Sequence, residues 1–147
     1  MTNDQIPMTK QMLGDVTDAG RMDGCSDMKG VAVGDSFDLE DRTAVFGEKI
    51  IALCRAVVLD DVNGVLVRQL VRSGTSIGAN YCEANDAESK KDFKHKIGLC
   101  RKESKETKHW LRMLACAAPD QRGEARRLWQ EANELNLIFS KIRRGLE

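Results

Sequence analysis

The stretch Val71–Leu114, VRSGTSIGANYCEANDAESKKDFKHKIGLCRKESKETKHWLRML, decides the fold of this 147-residue chain. It predicts the end of one helix, a short turn and a long second helix. Along the long helix, apolar and small residues recur at alternating steps of four and three, which is typical of a helix that buries one narrow face against other helices. The members of this face are Phe93, Ile97, Cys100, Ser104, Thr107, Leu111 and Leu114.

Charged side chains separate onto different sides of the same predicted helix. At about 100° per residue, basic residues occupy one flank and the outer surface, and acidic residues occupy the other flank. The acids are Glu88, Asp92, Glu103 and Glu106. The basic residues are candidates for nucleic-acid binding: Lys91, Lys94, Arg101, Lys102, Lys105 and Arg112. A helix with these faces is expected to contact more than its own chain.

Three further helices are predicted from the same kind of pattern. The first begins near Asp38, where acidic residues favour a helix N-terminus, and buries Phe46, Ile50, Leu53 and Val57. A turn over residues 60–64 leads to the second, which buries Leu66, Leu70, Ser73, Ile77, Asn80 or Tyr81, and Ala84. Ser89 is expected to cap the long third helix. Pro119 ends it, and Asp120 is expected to cap a fourth helix that buries Ala125, Leu128, Ala132, Leu135, Ile138 and Ile142.

Four amphipathic helices joined by short turns predict an all-α, antiparallel up-down-up-down four-helix bundle over residues 37–147. Residues 1–36 show no apolar period and are predicted to be a disordered N-terminal tail. Charge follows the same division, because residues 1–41 carry three basic and nine acidic side chains while residues 42–147 carry 20 and 14. The bundle is therefore mildly basic, which is compatible with a polyanionic partner.

Small and polar residues interrupt the apolar faces. Two glycines inside the second helix, Gly74 and Gly78, each cost about 1 kcal/mol relative to alanine, so they predict close approach by another helix, within the bundle or between subunits. A second set of polar side chains is interpreted as buried and structural, fixing helix register through hydrogen bonds, with a polar pocket as the alternative. This set is Ser76, Asn80, Glu83, Glu103, Ser104 and Thr107.

The sequence offers little for catalysis. The two candidate metal pairs, Asp92 with His95 and Glu106 with His109, lie on one helix about 21 Å apart, and no phosphate-binding glycine loop is present. We therefore predict no enzyme activity, no catalytic residue, no metal, no cofactor and no small-molecule substrate. The odd number of cysteines, five, and the absence of a signal or membrane segment indicate a cytoplasmic protein with reduced thiols and no membrane partner.

From about Asp38 to the end of the fourth helix, and most specifically over residues 72–112, the chain resembles the bacterial four-helix bundle protein family that includes proteins encoded in intervening sequences of 23S rRNA genes. The resemblance is carried by RSGTSIGANYCEAN, AESKKDFKHKIGLC, KES, KET and HWLRML, and DLEDRT at Asp38 is similar to the family's first helix. The family is similar to the accessory protein of diversity-generating retroelements, whose basic ring is thought to engage nucleic acid and a reverse transcriptase. The resemblance implies a bundle that assembles as a ring, typically a pentamer, without known catalytic activity.

Two functions follow as hypotheses. The first is a non-enzymatic interaction or scaffold module that forms a homo-oligomeric ring, in which the basic flank of one subunit meets the acidic flank of the next. Its candidate interface residues are Val67, Val71, Gly74, Gly78 and Trp110. The alternative is an accessory protein that binds RNA or DNA through the basic flank of the third helix.

Overall fold

A computed structural model describes residues 38–147, which form four α-helices and one short 3-10 helix. The helices are α1, Leu39–Ala56; α2, Asn63–Asn85; α3, Lys90–Ala117; and α4, Arg122–Arg144, with the 3-10 helix Pro119–Gln121 between α3 and α4. Within this range there is no strand. The all-α prediction is confirmed, and the predicted tail over residues 1–36 lies outside the described residues.

Two of the predicted helix caps are present. The Asp38 carboxylate accepts a hydrogen bond from the backbone N–H of Glu40 at 3.1 Å, and Ser89 Oγ accepts one from the N–H of Asp92 at 3.0 Å. Each bond satisfies a donor that has no partner inside its own helix. The starts of α1 and α3 are thus set by local sequence, as expected.

The α1–α2 turn lies slightly earlier than predicted. Asp60 Oδ1 accepts from the N–H groups of Val62 and Asn63, at 2.9 and 2.7 Å, and this cap lets α2 begin at Asn63. Residues 63 and 64, which were predicted to belong to the turn, are therefore helical, because the side chain of Asp60 caps the helix before them.

The fourth helix requires two corrections. Asp120 lies inside the 3-10 helix, and the N-cap position of α4 is Gln121, which makes no side-chain capping bond. Farther along, Phe139 is fully buried where Ile138 was predicted, and Ile138 is only half-buried. Steps of three and four from Leu135 are both compatible with a helix, and the packing of α4 on its neighbours selects the step of four.

Each helix runs antiparallel to the one before it, as the cross-helix contacts show. Between α2 and α3, the Cys100 thiol donates to the carbonyl oxygen of Ile77 at 3.6 Å, while the later residue Thr107 bonds to the earlier residue Ser73. Between α3 and α4, Asn136 Nδ2 donates to the carbonyl oxygen of Arg101 at 2.9 Å, while the later residue Lys108 bonds to the earlier residue Asn133. Between α1 and α2, Gly74 lies beside Ile50 and the later Gly78 beside the earlier Thr43. The up-down order therefore places α3 and α4 side by side along most of their length.

The first and last helices are joined by a two-point ion pair. Arg42 Nε and Nη2 donate to the two carboxylate oxygens of Glu131 at 2.7 and 3.0 Å, and Nη2 also reaches Glu134 at 2.6 Å. A planar guanidinium matches a carboxylate in this geometry, which adds orientation as well as attraction. The pair fixes α1 against α4 and closes the bundle.

The core lies between all four helices and follows the predicted faces. Burying each large apolar side chain contributes about 1.5–3 kcal/mol. The fully buried large side chains come from every helix: Phe46 and Ile50 in α1, Leu70 and Ile77 in α2, Ile97, Leu111 and Leu114 in α3, and Leu135 and Phe139 in α4.

The two glycines of α2 pack against α1 of the same chain. A Cβ atom on Gly74 would lie 2.9 Å from Ile50 Cγ1, and one on Gly78 would lie 3.4 Å from the backbone carbonyl of Thr43. Only a residue without a side chain permits this approach at Gly74. The two glycines were predicted to allow close approach either within the bundle or between subunits, and in this chain they allow it within the bundle.

Candidate functional site

A groove of about 800 Å³ runs between α3 and α4 and is lined by seven basic side chains. Its remaining lining residues are His95, Gly98, Leu99, Asn136 and Ser140, so no carboxylate lines it. The basic side chains are Lys91, Lys94, Arg101, Lys102, Lys105, Lys108 and Arg143. We refer to this set and the cleft between them as the basic groove.

Helical spacing on α3 places most of these cations on one side. Lys91, Lys94, Arg101, Lys105 and Lys108 recur at intervals of three, four and seven residues, which brings them to one face of the helix. The narrow buried face of α3 packs into the core, and the basic side of the helix faces the cleft between α3 and α4. The amphipathic pattern that builds the bundle therefore also aligns the charges.

Arg143 reaches the groove from α4 because α3 has a glycine opposite it. A Cβ atom on Gly98 would lie 2.5 Å from Arg143 Nη1 and 3.4 Å from its Cζ. The guanidinium thus lies directly over the backbone of α3, and a larger residue at position 98 would displace it. Gly98 positions this cation across the cleft from the lysines.

The positive charge in the groove is not compensated by neighbouring acids. Across residues 38–147, none of the seven groove cations has a carboxylate within ion-pair distance, whereas Lys96, on another side of α3, pairs with Glu83. A cleft lined by one sign of charge concentrates the field and attracts counter-ions of opposite sign. The charge of this cleft is complementary to that of a polyanion.

Neutral polar groups on α4 complete the wall of the groove. Lys108 Nζ donates to Asn133 Oδ1 at 2.6 Å, and the Ser140 hydroxyl donates to the carbonyl oxygen of Asn136 at 2.7 Å. The first bond joins α3 to α4 and holds the ammonium of Lys108 at the groove's end, whereas the second lies within α4. They leave the other groove cations turned to solvent.

The structure brings together five of the six basic residues that the sequence singled out, and separates Arg112 from them. Arg112 lines a different cleft nearer the C-terminal end of α3. Sequence reasoning missed Lys108 and Arg143. Lys108 follows Lys105 at helical spacing, so the pattern could have included it, but Arg143 belongs to another helix and no signal in α3 points to it.

The acidic flank of α3 is partly used inside the chain. Arg72 of α2 pairs with Glu106, and its Nη1 lies 3.7 Å from Glu103 Oε2. Burial, reinforced by the neighbouring charge of Glu106, raises the pKa of Glu103, and Arg72 opposes that shift. Half of the four acids expected to face a neighbouring subunit therefore already have a cation from their own chain.

The polar residues interpreted as structural fall into different groups. Ser104 and Thr107 are fully buried, and Thr107 bonds to Ser73 across the α2–α3 contact. Ser76 and Asn80 bond only to carbonyl oxygens of their own helix. Glu83 was placed wrongly by the pattern: it is exposed and pairs with Lys96, because it lies just outside the narrow buried face of α2.

The candidate interface residues occupy the edge of the core. Val67, Val71 and Trp110 are half-buried and pack against the core, and the indole Nε1 of Trp110 donates to Glu106 at 3.2 Å. A more exposed apolar surface lies at the α1–α2 turn, where the exposed fractions reach 83% and 65% for two neighbouring residues. This surface, which we call the apolar turn, comprises Val58, Leu59, Val62 and Val65.

A second cleft between α3 and α4 has a different chemistry. It measures about 510 Å³ and combines three arginines with an apolar wall. It meets the basic groove at Lys108, whose Nζ lies 4.7 Å from the centre of the Trp129 ring. We call it the arginine–tryptophan cleft; its lining is Leu111, Arg112, Ala115, Cys116, Arg122, Ala125, Arg126 and Trp129.

Residues 38–147 contain neither a metal-binding cluster nor a helix that could span a membrane. No group of three or more histidine, cysteine or acidic side chains in that range is arranged to hold a metal ion. None of the four helices is both long and apolar enough to cross a bilayer. Among the cysteines of this range, Cys54 and Cys100 are buried, and Cys82 and Cys116 are exposed, all as free thiols.

Comparison with known proteins identifies a family and a related solved structure. The family model described as 23S rRNA-intervening sequence protein matches residues 38–141, which is more than half of the chain. Among solved structures, the chain is similar to a crystal structure described as a protein with unknown function from the S23 ribosomal protein family of Bacteroides thetaiotaomicron. That similarity has 32% identity and a TM-score of 0.65, and it covers 71% of this chain and 97% of the other. No curated protein sequence matches significantly.

Proposed function

Because the chain belongs to the 23S rRNA-intervening sequence protein family, we propose that it is a non-enzymatic accessory protein that binds the phosphate backbone of RNA or DNA through the basic groove. The observation that carries this proposal is the convergence of seven cations and no acid on one cleft. The matched family is named for intervening sequences of 23S rRNA, which makes RNA the first polyanion to test.

The proposed contact is made with phosphates rather than with base edges. The lining of the groove is dominated by lysine and arginine, which act on phosphates through charge and charge-assisted hydrogen bonds. Such binding is largely independent of sequence and depends steeply on salt, since each neutralised phosphate releases counter-ions. If most of the seven cations engage phosphates, affinity falls about a thousandfold between 50 and 200 mM salt.

The direct test is a binding titration by fluorescence anisotropy at several salt concentrations. A Lys94→Glu, Lys105→Glu variant should lose binding, because two of the groove cations become acids. A Lys49→Glu, Arg55→Glu variant is the matched control, since it makes the same change in net charge at two exposed residues of α1 that do not line the groove. Absence of binding by the unaltered protein at about 50 mM salt would remove this function.

A second function, a homo-oligomeric ring that serves as a scaffold, is supported by the apolar turn. Val58 and Leu59 are exposed by 83% and 65%, beside the exposed residues Val62 and Val65. A contiguous exposed apolar surface is costly in a monomer and is typical of a contact site. With Arg72 engaging Glu103 and Glu106, this turn is a better source of contact energy than the acidic flank.

Light-scattering mass of the full chain tests the ring. A pentamer or another closed oligomer should dissociate in a Leu59→Lys variant and persist in Val67→Ala, if the apolar turn supplies the contact. Trp110→Ala tests the interface first expected from the sequence. A monomer at every concentration would exclude the scaffold and leave nucleic-acid binding as a property of the single subunit.

A further inference from the structure

The arginine–tryptophan cleft continues the basic groove along the same pair of helices. The junction is Lys108, which lines the groove and places its ammonium 4.7 Å from the centre of the Trp129 ring. The combined lining on α3 runs from Lys91 to Cys116, which corresponds to about 38 Å at 1.5 Å per residue. A single linear ligand can therefore lie across both.

The two clefts differ in what they can recognise. The basic groove presents cations and neutral polar groups. The arginine–tryptophan cleft adds an apolar wall from Leu111, Ala115 and Ala125, and its charged lining consists of arginines alone. A ligand that suits both must be anionic along its length and carry flat apolar surface at one end.

Trp129 is only partly accounted for by the fold, through the Lys108 ammonium that lies over its ring. Leu128 and Ala132 belong to the buried face of α4, whereas Trp129 lies outside that face and is 37% exposed. An exposed indole beside arginines is a surface on which a base can stack, with the guanidinium groups placed for the flanking phosphates.

We infer that the two clefts together form a binding site for single-stranded nucleic acid, with the backbone along the basic groove and a base stacked on Trp129. This inference rests on the proposed function and adds the strand state of the ligand. Inside a duplex the base faces are covered by their neighbours, so a duplex can use the groove cations but has a free base face for Trp129 only at its two ends. Single strands offer both phosphates and base faces.

The continuity with the basic groove favours nucleic acid over an acidic peptide. A peptide with alternating acidic and apolar residues would fit the arginine–tryptophan cleft alone. Along the run of cations from Lys91 to Lys105, its apolar side chains would find no apolar wall to contact. Regularly repeated phosphates match that run. Binding of an acidic peptide, with no nucleic acid bound, would overturn the inference.

The experiment uses intrinsic fluorescence, because the chain has only two tryptophans. In a Trp110→Phe variant of the full chain, all indole emission comes from Trp129. The probe is a single-stranded RNA of about 12 nucleotides, within the usual range of about 4–16 nucleotides for single-strand sites. It is compared with a much longer duplex that repeats the same sequence, in which end pairs are a small share of the binding sites. We expect the single strand to quench Trp129 and the duplex to leave its emission unchanged at equal occupancy.

Affinity provides the second readout. Trp129→Ala should weaken single-strand binding by at least about fivefold, since base stacking on an aromatic side chain carries that much or more. Duplex binding should stay unchanged. Trp129→Phe keeps an aromatic platform and should restore most of the loss, which separates stacking from a general effect on folding, and circular dichroism checks that each variant remains helical.

A footprint on the cleft gives an independent check. Cys116 lines the arginine–tryptophan cleft and is exposed, while Cys82 is exposed on α2 away from it. Bound single strand should slow alkylation of Cys116 and leave Cys82 unaffected, read peptide by peptide in a mass spectrometer. If Cys116 is already protected without nucleic acid and the protein is oligomeric, a second copy covers the cleft and the inference is wrong.

The outcomes distinguish this inference from the proposed function. Binding that depends on Lys94 and Lys105, without quenching of Trp129 or loss in Trp129→Ala, would overturn single-strand recognition and leave the phosphate-binding function standing. Failure of both single strand and duplex to bind in low salt would remove the proposed function and the inference together.

Discussion

The hydroxyl groups of Ser73 on α2 and Thr107 on α3 lie 3.0 Å apart, and both side chains are fully buried. Thr107 Oγ1 also lies 2.7 Å from the carbonyl oxygen of Glu103, and Ser73 Oγ lies 3.4 Å from that of Leu70. The pair is thus a polar contact in an apolar core, with each hydroxyl supplied with a partner on its own helix as well. The contact favours one register of α2 against α3, because a shift by one residue would break the hydrogen bond between the two buried hydroxyls.

A double-mutant cycle tests this contact. Thr107→Val should destabilise the protein by about 1–3 kcal/mol, since it leaves the buried Ser73 hydroxyl without its partner on α3. Adding Ser73→Ala should recover part of the loss, because no unsatisfied group then remains across the interface. Urea unfolding of the four proteins gives the coupling free energy, and strict additivity would show that the two hydroxyls do not interact.

Gly74 and Gly98 are expected to respond in opposite ways to alanine. At Gly74 the added methyl meets Ile50, a fully buried side chain, and should cost about 1–3 kcal/mol through overpacking. At Gly98 it meets the mobile end of Arg143, so the gain in helix propensity of up to about 1 kcal/mol should prevail. Thermal unfolding of both variants decides the point, and equal effects would contradict the packing described for α1 and α2.

Glu103 gives the bundle a dependence on pH. Burial raises the pKa of Glu103 above its unfolded value, so the native state binds more protons between the two values. The stability linked to this group is fully present below the unfolded pKa, near 4.3, and is lost as the pH rises through the folded pKa. Glu103→Gln should therefore gain stability relative to the unaltered protein between pH 4 and 7. Urea midpoints across that range measure it; a relative loss would show that the Arg72 pair dominates.

The helices and their buried faces could be predicted from the sequence because they are local properties. Recurrence of apolar residues at three and four residues, a serine three residues before Asp92 and an acidic start at Asp38 each act within one or two turns of chain. The family could be recognised for the same reason, since RSGTSIGANYCEAN and the residues that follow form one continuous stretch. The match to residues 38–141 confirms that resemblance.

Contacts between helices could not be predicted, because they depend on how each helix rotates about its axis. Arg143 joins the basic groove through Gly98, and Arg72 takes up the acids Glu103 and Glu106, although nothing in the sequence of α3 names either arginine. The same rotation buries Phe139 in place of Ile138. The sequence therefore predicted the α3 side of the basic groove, which is the charged flank of that helix, but not the α4 side.

The cysteines should react in an order set by burial. Burial raises the pKa of Cys54 to about 11 and that of Cys100 to about 12. Because the thiolate is the reactive form, both should resist alkylation at pH 8 until the protein unfolds. The exposed Cys116 should react in the native state, and Cys82 more slowly, because burial and Glu40 raise the pKa of that thiol. Peptide-resolved labelling in the presence and absence of urea measures the order; rapid native labelling of Cys100 would contradict the core assignment.

Arg143 provides the sharpest test of the groove, because the cation beside it in sequence serves as its control. Arg143 lines the basic groove over Gly98, whereas Arg144 is exposed and does not line it. Arg143→Gln should weaken binding of nucleic acid uniformly across sequences and reduce the slope of log affinity against log salt by about 0.7–0.9, the contribution of one phosphate contact. Arg144→Gln removes the same charge and should change the slope little. Anisotropy titrations over a range of salt compare the two. Equal slopes in both variants would mean that net charge attracts the ligand and that the groove does not hold it.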